Sequence, residues 1–518
     1  MNIFGHRFLI LSVIRTCFII VLFMVATGCN GKSSAKDKDF VGDVEVSKKL
    51  KLENLKASNH DKPQSSVPVI DLIADINFRY HRDGWTFNTH AAQITVDKLI
   101  AGNVRALFAA IGNSDGKNRT FKDELKLLSD LVLKSDGKVV FAKSLHELEN
   151  FRKGDPVKLF ILVEGASMLE KATEDELFEY KSKGLSIVGL AGGGSSSLCS
   201  SAEFVNDSDN GLTKKGSAFV DKLAKLGIAI DLSRASKKTF YDVISDNGLL
   251  AMVSHSAAGF LREHNRNLDD LQILTLKQNG GIIGIVFNPD FLTPGNQNVD
   301  YRDVIKHLRH LKRLGAIDAI AIGSDFDGII PPRGLEDVST FPFLKDKLLE
   351  GGFSNDEINS IFYRNIQTFF KNVAERNSIA DISGNEAVRP AEVDCDTVSG
   401  EFKGSPGEAC NGYIFDNGVT LLSSSRLKLR VHSQLELNYL EIYGLPRTPW
   451  QIEAQNLNGD IALHRSVRLD ESGVARISLP KNNRIVRIFI SPTRPTQLRE
   501  AVIWGKTSID QTMDRSEK

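Results

Sequence analysis

The chain has 518 residues, of which 41% are hydrophobic and 25% are charged. These fractions are typical of globular proteins and exclude a largely disordered or fibrous chain, and the length predicts two or three domains. Lysine plus arginine and aspartate plus glutamate both number 65, so the neutral total indicates no broad basic face for nucleic acid, although it leaves room for a local patch. We therefore expect no nucleic-acid partner.

Residues 1–28 resemble a bacterial lipoprotein signal peptide. An apolar stretch follows His6 and Arg7, and small residues stand directly before Cys29, which would become the lipidated first residue of the mature chain. A transmembrane anchor is the alternative, since roughly 20 apolar residues can span a bilayer. The small residues before the cysteine favour the signal peptide. Asn30 favours the outer membrane of the cell envelope, because an aspartate there would suggest retention at the inner membrane.

Three regions of different composition follow the signal peptide. Residues 29–66 are rich in lysine, aspartate and serine, which predicts a disordered tether. Residues 67–385 alternate short apolar runs with amphipathic stretches. Residues 390–518 consist of short alternating segments separated by glycine and asparagine turns, which predicts an all-β sandwich of the jelly-roll type.

Nine apolar runs in residues 67–385 predict parallel strands. They are continuous rather than alternating, which is typical of strands buried on both faces. In chain order they are PVIDLI, RALFAAI, KVVFA, LFILVEG, LSIVGLAGG, GIAIDLS, LLAMVSHS, GIIGIVFNP and IDAIAIGSD. Eight or nine strand–helix units of this kind predict an α/β fold, a TIM-like (β/α)8 barrel. A doubly wound open sheet is the alternative, and the absence of a glycine-rich phosphate loop after the first run disfavours it.

The cysteines fit an exported protein, since export leads to an oxidising compartment. Cys199 stands alone in the barrel region and is interpreted as a small buried residue. Cys395 and Cys410 lie close together in a loop-like stretch, so we predict that they form a disulfide. A bond that closes a loop of this length contributes on the order of 3 kcal/mol to stability.

Polar residues end several of the predicted strands. In a (β/α)8 barrel the active site lies at the C-terminal ends of the strands, so these residues are expected to converge. In chain order they are Asp71, Asp75, Glu164, Asp231, Arg234, His255 and Asp325, followed downstream by Arg266. Taken singly, each has an ordinary alternative: His255 as a core histidine, Glu164 as a barrel-layer acid and Arg266 as a surface ion pair.

The stretch Ala319–Ile330, AIAIGSDFDGII, ends a predicted strand with two acids. Asp325 and Asp327 alone could form the D-x-D-G motif of a haloacid-dehalogenase phosphatase. That motif normally opens its domain, whereas here a long barrel-like region precedes it. Asp327 is therefore interpreted as structural, since a carboxylate after a strand often caps the next helix.

Several of these residues lie in motifs that resemble those of the membrane (renal-type) dipeptidases. VIDLIAD, ILVEGA, GLTKKGSAFVDKLAKLGIAIDLSRAS, VSHSAAG, HNRNLDD, LKQNGGIIGIVFNPDFL and IGSDFDGIIPPRGLEDVS follow one another in the order and spacing of that family over residues 67–375. The resemblance implies a (β/α)8 zinc peptidase that hydrolyses dipeptides in the cell envelope, and a homodimer, since members often pair. It does not extend to the C-terminal region.

The resemblance assigns a role to five residues. Glu164 matches the glutamate that bridges a pair of zinc ions. Asp75 and His255 match further zinc ligands, one on each ion. Asp325 matches the catalytic acid that receives the amine or a transferred proton, and Arg266 matches the arginine that binds the substrate carboxylate.

Three histidines of the family pattern are replaced. Ile73 and Arg234 stand where a histidine would bind the first and the second zinc, and Gly192 stands where a histidine would meet the substrate. Two zinc ions need about three protein ligands each, counting a shared bridge. Isoleucine cannot bind a metal, and arginine cannot be deprotonated to do so. His81 and His90 follow the first strand but cannot reproduce the spacing of ligands two residues apart.

Two functional hypotheses remain. The first is a metallodipeptidase with an impaired zinc site, in which a metal-bridging hydroxide attacks the peptide carbonyl. The second is a catalytically inactive pseudoenzyme that binds a small peptide or carboxylate ligand or serves as a scaffold. In it, Arg234 would replace the metal by pairing with the acids of the pocket, which would otherwise repel one another. Arg266 would then be free to bind a carboxylate.

The aromatic residues of the C-terminal region support a third hypothesis, a surface adhesin. Trp450, Trp504, Tyr439 and Tyr443 could form a platform for a glycan. Core packing is the more frequent role of such residues, because aromatics dominate sandwich interiors. The partner of this region, a glycan or a protein, is left open by the sequence.

Overall fold

The computed structural model describes residues 67–112, 119–194, 196–203, 209–247, 249–295, 298–378, 388–391, 393–399, 402–403, 409–413, 419–422, 425–432, 436–480 and 484–506. The predicted signal peptide, the lipidation site at Cys29 and the predicted tether lie outside these residues. Among the residues that are described, no helix is both long and apolar enough to cross a membrane.

A closed parallel barrel forms the first part of the structure. Its strands are β1 (Val69–Ala74), β2 (Val104–Ile111), β3 (Val139–Phe141), β4 (Val157–Val163), β5 (Leu185–Gly189), β6 (Ala229–Asp231), β7 (Ala251–Ser256), β8 (Ile283–Ile285) and β9 (Ile320–Ile322). Eight of them form the ring, in the order β1-β2-β4-β5-β6-β7-β8-β9, and β9 pairs with β1. The remaining strand, β3, adds to the start of β4. The predicted barrel is confirmed, and the open-sheet alternative is wrong because the sheet closes.

Helices connect the strands and form the outer layer. The α-helices of the described residues are α1 (Ile76–Asp83), α2 (Val96–Ala101), α3 (Phe121–Leu133), α4 (Glu174–Ser182), α5 (Lys214–Leu226), α6 (Lys237–Asn247), α7 (Asp270–Gln278), α8 (Pro289–Leu292), α9 (Tyr301–Arg313), α10 (Phe341–Glu350), α11 (Asn355–Asn359) and α12 (Asn365–Ser378). Their starts follow local capping rules: the Thr120 side chain accepts from the Asp123 backbone N–H, and Asp123 accepts in return. Short 3₁₀ helices span Leu145–Leu148, Ala166–Met168, Ile317–Ala319 and Val338–Thr340, and a π-helical turn spans Ser360–Arg364.

The barrel is filled with apolar side chains, and α12 closes one end of it. Phe370 of this helix stacks on Phe108 with ring centroids 5.1 Å apart, and Phe108 stacks on Phe160 at 4.8 Å. Asn365 donates to the carbonyl of Ile320, the first residue of β9, which places α12 at the N-terminal ends of the strands. The C-terminal ends therefore form the open mouth of the barrel, where a site is expected.

The C-terminal region consists of two antiparallel sheets. The first contains β10 (Val388–Pro390), β12 (Phe402–Lys403), β13 (Val419–Leu421), β15 (Glu436–Gly444), β18 (Val474–Ser478) and β20 (Thr496–Lys506). The second contains β11 (Val393–Ser399), β14 (Arg426–Val431), β16 (Pro449–Asn456), β17 (Ile461–Arg468) and β19 (Ile485–Pro492). Alternate residues of both sheets are buried in one apolar cluster, as the alternation in the sequence predicts. Cys395 and Cys410 are joined by a disulfide, with Cα atoms 6.2 Å apart.

The tryptophans of this region are buried, so the proposed aromatic platform for a glycan is wrong. Trp450 lies in the cluster between the two sheets and is fully buried. Trp504 lies on the other face of its sheet, where it packs against Leu274 of α7 in the barrel. Tyr439 also reaches the barrel and donates to the side chain of Gln278 at 3.2 Å. These aromatics pack the sandwich and fix it to the barrel.

Candidate functional site

The loops after the barrel strands bring the candidate residues together at the open mouth. His255, at the end of β7, lies with its Nε2 3.4 Å from an oxygen of Glu164, which follows β4. Arg234 follows β6 and also contacts Glu164. Asp75 and Asp325 follow the adjacent strands β1 and β9. The strand-end residues therefore form one cluster, as expected for the C-terminal face of a barrel.

The guanidinium of Arg234 faces both oxygens of the Glu164 carboxylate. Nε lies 3.3 Å from Oε1, and Nη2 lies 3.4 Å from Oε2. Burial disfavours the charge on Arg234, yet the carboxylates of Glu164 and Glu203 raise its pKa above the usual value. Arg234 therefore holds a fixed positive charge beside the residue that matches the zinc-bridging glutamate.

Glu203 joins this cluster, although the sequence analysis missed it. Its Oε1 accepts from Nη1 of Arg266 at 2.7 Å, and the same oxygen accepts from Nη1 of Arg234. One signal could have revealed Glu203, which is the only charged residue between Lys183 and Asp207. It follows the run of small residues after β5, where the strand itself offers no polar end.

Three partners hold the guanidinium of Arg266 in this structure, and its role in binding a ligand stays a prediction. Nε donates to the carbonyl of Ser233 at 2.7 Å, and Nη1 donates to Glu203. The third contact joins Nη2 to Nε2 of His255 at 2.7 Å. Burial and the nearby charge of Arg234 lower the pKa of Arg266. The side chain is nevertheless charged and rigidly placed.

These contacts fix the protonation of His255. A guanidinium can only donate, so Nε2 of His255 must accept from Arg266. The ring proton therefore sits on Nδ1 and is donated to Oγ of Ser254 at 2.8 Å. Ser254 in turn donates to the carboxylate of Asp231 at 2.8 Å. Burial, followed by the charges of Arg266 and Arg234, lowers the pKa of His255 well below its usual value, so the ring is neutral.

Asp75 and Asp325 present their carboxyl groups to one point beside Gly328. A Cβ built on Gly328 would lie 2.5 Å from Oδ2 of Asp75 and 2.9 Å from Oδ1 of Asp325. Burial, and then the charge of Glu164, raises the pKa of Asp325 to about 7. Burial, and then repulsion by Asp325, raises the pKa of Asp75 well above its usual value. The pair therefore favours a shared proton or a cationic group nearby.

Asp71 and Asp327 support the site. Asp71 accepts from the backbone N–H of Ser324 at 2.9 Å and from its hydroxyl, which ties β1 to the end of β9. Asp327 accepts from the backbone N–H of Gln93 at 2.8 Å, and its own N–H donates back to the Gln93 side chain. The loop that carries Asp325 is held in place by these bonds. Asp325 needs such support because its φ of +64° lies in the left-handed region.

The side chains at the mouth do not fit a pair of zinc ions. Across the described ranges, no group of three or more histidine, cysteine, aspartate or glutamate residues could hold a metal ion. The Nε2 lone pair of His255 is used by Arg266, and both oxygens of Glu164 face Arg234. Ile73 lies among the apolar side chains that fill the barrel. A dication at this place would meet a fixed guanidinium charge at contact distance.

The two histidines that follow the first strand do not replace the missing ligands. His81 lies on α1 with its Nε2 3.5 Å from the carboxylate of Glu124 on α3. His90 is exposed. Gly192 lies close to Gly165, and a Cβ at Gly192 would meet its nearest atom at 3.6 Å, so a Cβ would fit there.

Two cavities open at the mouth of the barrel. The smaller, about 350 Å³, is lined by Ala202, Glu203, Glu263, His264, Asn265 and Arg266. The larger, about 580 Å³, is lined by Asn288, Pro289, Asp290, Asn298, Val299, Gly328, Ile329, Ile330, Pro331 and Arg333. Glu203 and Arg266, which pair with each other, form part of the wall of the smaller cavity. The larger one reaches Gly328, beside the two aspartates.

Comparison with known proteins links this barrel to one family. The family profile described as membrane dipeptidase, Peptidase family M19, matches residues 60–381. One uncharacterized dipeptidase of Schizosaccharomyces pombe is 28% identical over 255 residues, which are 48% of this chain and 61% of the relative. A second is 34% identical over 165 residues, which are 32% of this chain and 40% of the relative. The chain thus spans less than two thirds of the length of either relative.

Solved structures share the barrel fold. A metallopeptidase from Rhodobacter sphaeroides, liganded with a phosphinate mimic of the dipeptide L-Ala-D-Ala, is similar with a TM-score of 0.53 and 21% identity. The similarity covers 60% of this chain and 99% of that chain. At this identity the comparison concerns the fold.

Proposed function

The chain belongs to the membrane dipeptidase family, Peptidase family M19, and we propose that it is a member without the zinc pair. In this proposal the protein binds a small ligand that carries a carboxylate, of the dipeptide class, and does not hydrolyse it. The dipeptide class is suggested by the family and by the names of the two yeast relatives.

The observation that supports this proposal most strongly is the contact between Arg234 and Glu164. The carboxylate that would bridge two metal ions is paired with a guanidinium through both of its oxygens. Removing either partner would leave a partly buried charge with less opposite charge around it, so breaking the pair should destabilise the metal-free site. Arg234 supplies the positive charge that Glu164 needs.

The remaining groups suit a zwitterionic ligand. Arg266 and Arg234 offer guanidinium donors for a carboxylate. Asp75 and Asp325 offer two carboxyl groups for an ammonium, and both lie against Gly328. In this proposal these groups bind and orient the ligand, and no water molecule is activated to attack it.

Zinc content tests this proposal. The full chain is purified without chelator and dialysed against zinc, and zinc per chain is measured by elemental mass spectrometry together with dipeptide hydrolysis. Near-zero zinc with no hydrolysis, combined with calorimetric binding of glycylglycine, would support the proposal. Near two zinc ions per chain, or hydrolysis that a chelator abolishes, would overturn it.

The second candidate function is an active metallodipeptidase, and one observation favours it. Asp75, Glu164, His255 and Asp325 keep the residue types of the family pattern and lie together at the mouth. Zinc binding would then require His255 and Glu164 to leave their guanidinium partners. A loaded protein that hydrolyses dipeptides would establish this alternative.

We also propose that a lipid on Cys29 holds the protein at the outer membrane of the bacterial cell envelope, with the β-sandwich as a scaffold or partner-binding module. The small residues before Cys29 support the lipid. Labelling with a fatty-acid analogue tests it: wild type should be labelled and Cys29→Ser should not. A labelled Cys29→Ser variant would contradict this assignment.

A further inference from the structure

We propose that Glu203 occupies a preformed carboxylate-binding site and that a ligand carboxylate must displace the Glu203 side chain to bind. The site consists of the two guanidinium groups of Arg234 and Arg266. The inference rests on the proposed function, because it concerns how the same mouth of the barrel receives its ligand. It adds a residue of this chain that limits the affinity for the ligand.

Both guanidinium groups are anchored independently of Glu203. Arg234 uses Nε and Nη2 on Glu164. Arg266 uses Nε on the Ser233 carbonyl and Nη2 on His255. In each arginine the group that remains is Nη1, and both Nη1 groups donate to Oε1 of Glu203. Two fixed donors thus converge on one oxygen position, which is the arrangement of a preorganised anion site.

Glu203 is the replaceable member of this cluster. Its side chain is 28% exposed, whereas that of Arg266 is 6% exposed. It contributes a carboxylate, so a carboxylate from a ligand can accept the same two hydrogen bonds. Rotation of the Glu203 side chain about its own torsions would vacate the position. The exchange replaces one carboxylate with another, so both guanidinium groups keep their charge-assisted hydrogen bonds.

The space next to Glu203 suits a small ligand. The cavity of about 350 Å³ ends on Glu203 and Arg266. Sites for small molecules fall in the range of roughly 300–1,000 Å³. His264 and Asn265 add polar groups to its wall. A planar carboxylate fits the geometry of two guanidinium groups better than a ligand without an anionic group does.

Glu203→Gln tests the inference, with Glu263→Gln as the matched control. Glu263 lines the same cavity, and no ion pair of this residue with either arginine occurs in the described part of the chain. Binding of glycylglycine and of acetate to the full chain is measured by isothermal titration calorimetry. Because Glu203 blocks the site in the free protein, Glu203→Gln should tighten both affinities by about tenfold or more. Glu263→Gln should bind as the wild type does.

Further variants make the outcomes distinct. Arg266→Lys should weaken binding in both the wild-type and the Glu203→Gln background, because the amine cannot keep the contacts of the guanidinium. Glu203→Ala serves if Glu203→Gln proves unstable, with folding of each variant checked by thermal melting. If the wild type binds the compounds while Glu203→Gln and Glu203→Ala bind them equally or more weakly, this inference is overturned and the proposed function stays intact. If the wild type and Glu203→Gln are both folded and neither binds glycylglycine or acetate, the inference and the proposed function are overturned together.

Discussion

Arg234 and Glu164 face each other across the mouth of the barrel, with nitrogen–oxygen distances of 3.3 and 3.4 Å. Both distances exceed those of short charge-assisted hydrogen bonds, so the pair acts mainly through charge. Each partner also has a second contact, Arg234 with Glu203 and Glu164 with His255. Two guanidinium groups and two glutamates thus pair with one another around the neutral His255, and this arrangement leads to specific predictions.

Arg234→Ala should destabilise the folded protein. The change leaves Glu164 and Glu203 without one guanidinium, at a cost of about 1–3 kcal/mol in a partly exposed site. The free energy of unfolding is measured by urea denaturation. Arg333→Ala, which removes a mostly exposed arginine from the larger cavity, serves as the control and should change stability by under about 0.5 kcal/mol. Equal stability of wild type and Arg234→Ala would show that the pair does not stabilise the fold.

Restoring the histidines should restore zinc binding. The triple variant Ile73→His, Gly192→His and Arg234→His removes the guanidinium and supplies three imidazoles, and a Cβ at Gly192 would meet nothing closer than 3.6 Å. We expect zinc per chain to rise from near zero towards two, since ligand number then meets the demand of two ions. Gly192→His alone is the control and should stay near zero. A triple variant that stays folded but takes up no zinc would contradict the view that these three positions exclude the metal.

Gly328→Ala should disturb the two aspartates. Its Cβ would lie 2.5 Å from an oxygen of Asp75 and 2.9 Å from an oxygen of Asp325, which is closer than atoms can pack. The carboxyl groups must shift, and overpacking of this kind costs about 1–3 kcal/mol. Gly192→Ala is the matched control, because its Cβ meets nothing closer than 3.6 Å. Melting temperatures of the two variants should differ, and a Gly328→Ala protein as stable as Gly192→Ala would refute the close approach.

His307 should make the barrel sensitive to acid. Its Nδ1 accepts from the backbone N–H of Ala258 at 3.0 Å, so its Nε2 carries the proton and donates to the Leu292 carbonyl at 3.0 Å. Burial lowers the pKa of His307 to about 4. An unfolded histidine titrates near 6.5, so the neutral ring favours the folded state above that pH. This stability should be lost as the pH falls from about 6.5 towards 4.

The variant His307→Gln isolates this effect. Urea unfolding is measured at pH 7 and pH 4.5 for wild type and variant. The wild type should lose more stability between these values than the variant, by an amount of order 2 kcal/mol. His146→Gln removes a largely exposed histidine and should keep the wild-type pH dependence. Equal pH dependence in wild type and His307→Gln would disprove the assignment.

Leu274→Ala should weaken the attachment of the β-sandwich to the barrel. Leu274 of α7 packs against Val502 and Trp504. Truncation of its side chain leaves a cavity, which lowers the free energy of unfolding by about 2–4 kcal/mol at a fully packed site. Limited proteolysis should then release the β-sandwich more rapidly than from wild type. Leu133→Ala is the control, since Leu133 is 76% exposed. Identical cleavage rates in Leu274→Ala and wild type would argue against this interface.

Much of the barrel could be predicted from the sequence, because burial on both faces of a strand leaves a continuous apolar run. All nine runs became strands, and the polar residues at their ends lie at the mouth. The C-terminal sheets followed from alternation, which places every second residue in the core. The role of Trp504 could not be read in this way, because the sequence does not say which face of the sheet meets another part of the protein.

The sequence by itself determined the strands and their polar ends, and it predicted the replacement of three histidines, since each depends on the identity of a residue within a local pattern. Only the tertiary structure decided how the remaining charges pair. Glu203 lies on Arg234 and Arg266, and Arg266 occupies the lone pair of His255, because loops from different strands meet at the mouth. Such contacts join residues far apart in the chain, and no local periodicity records them.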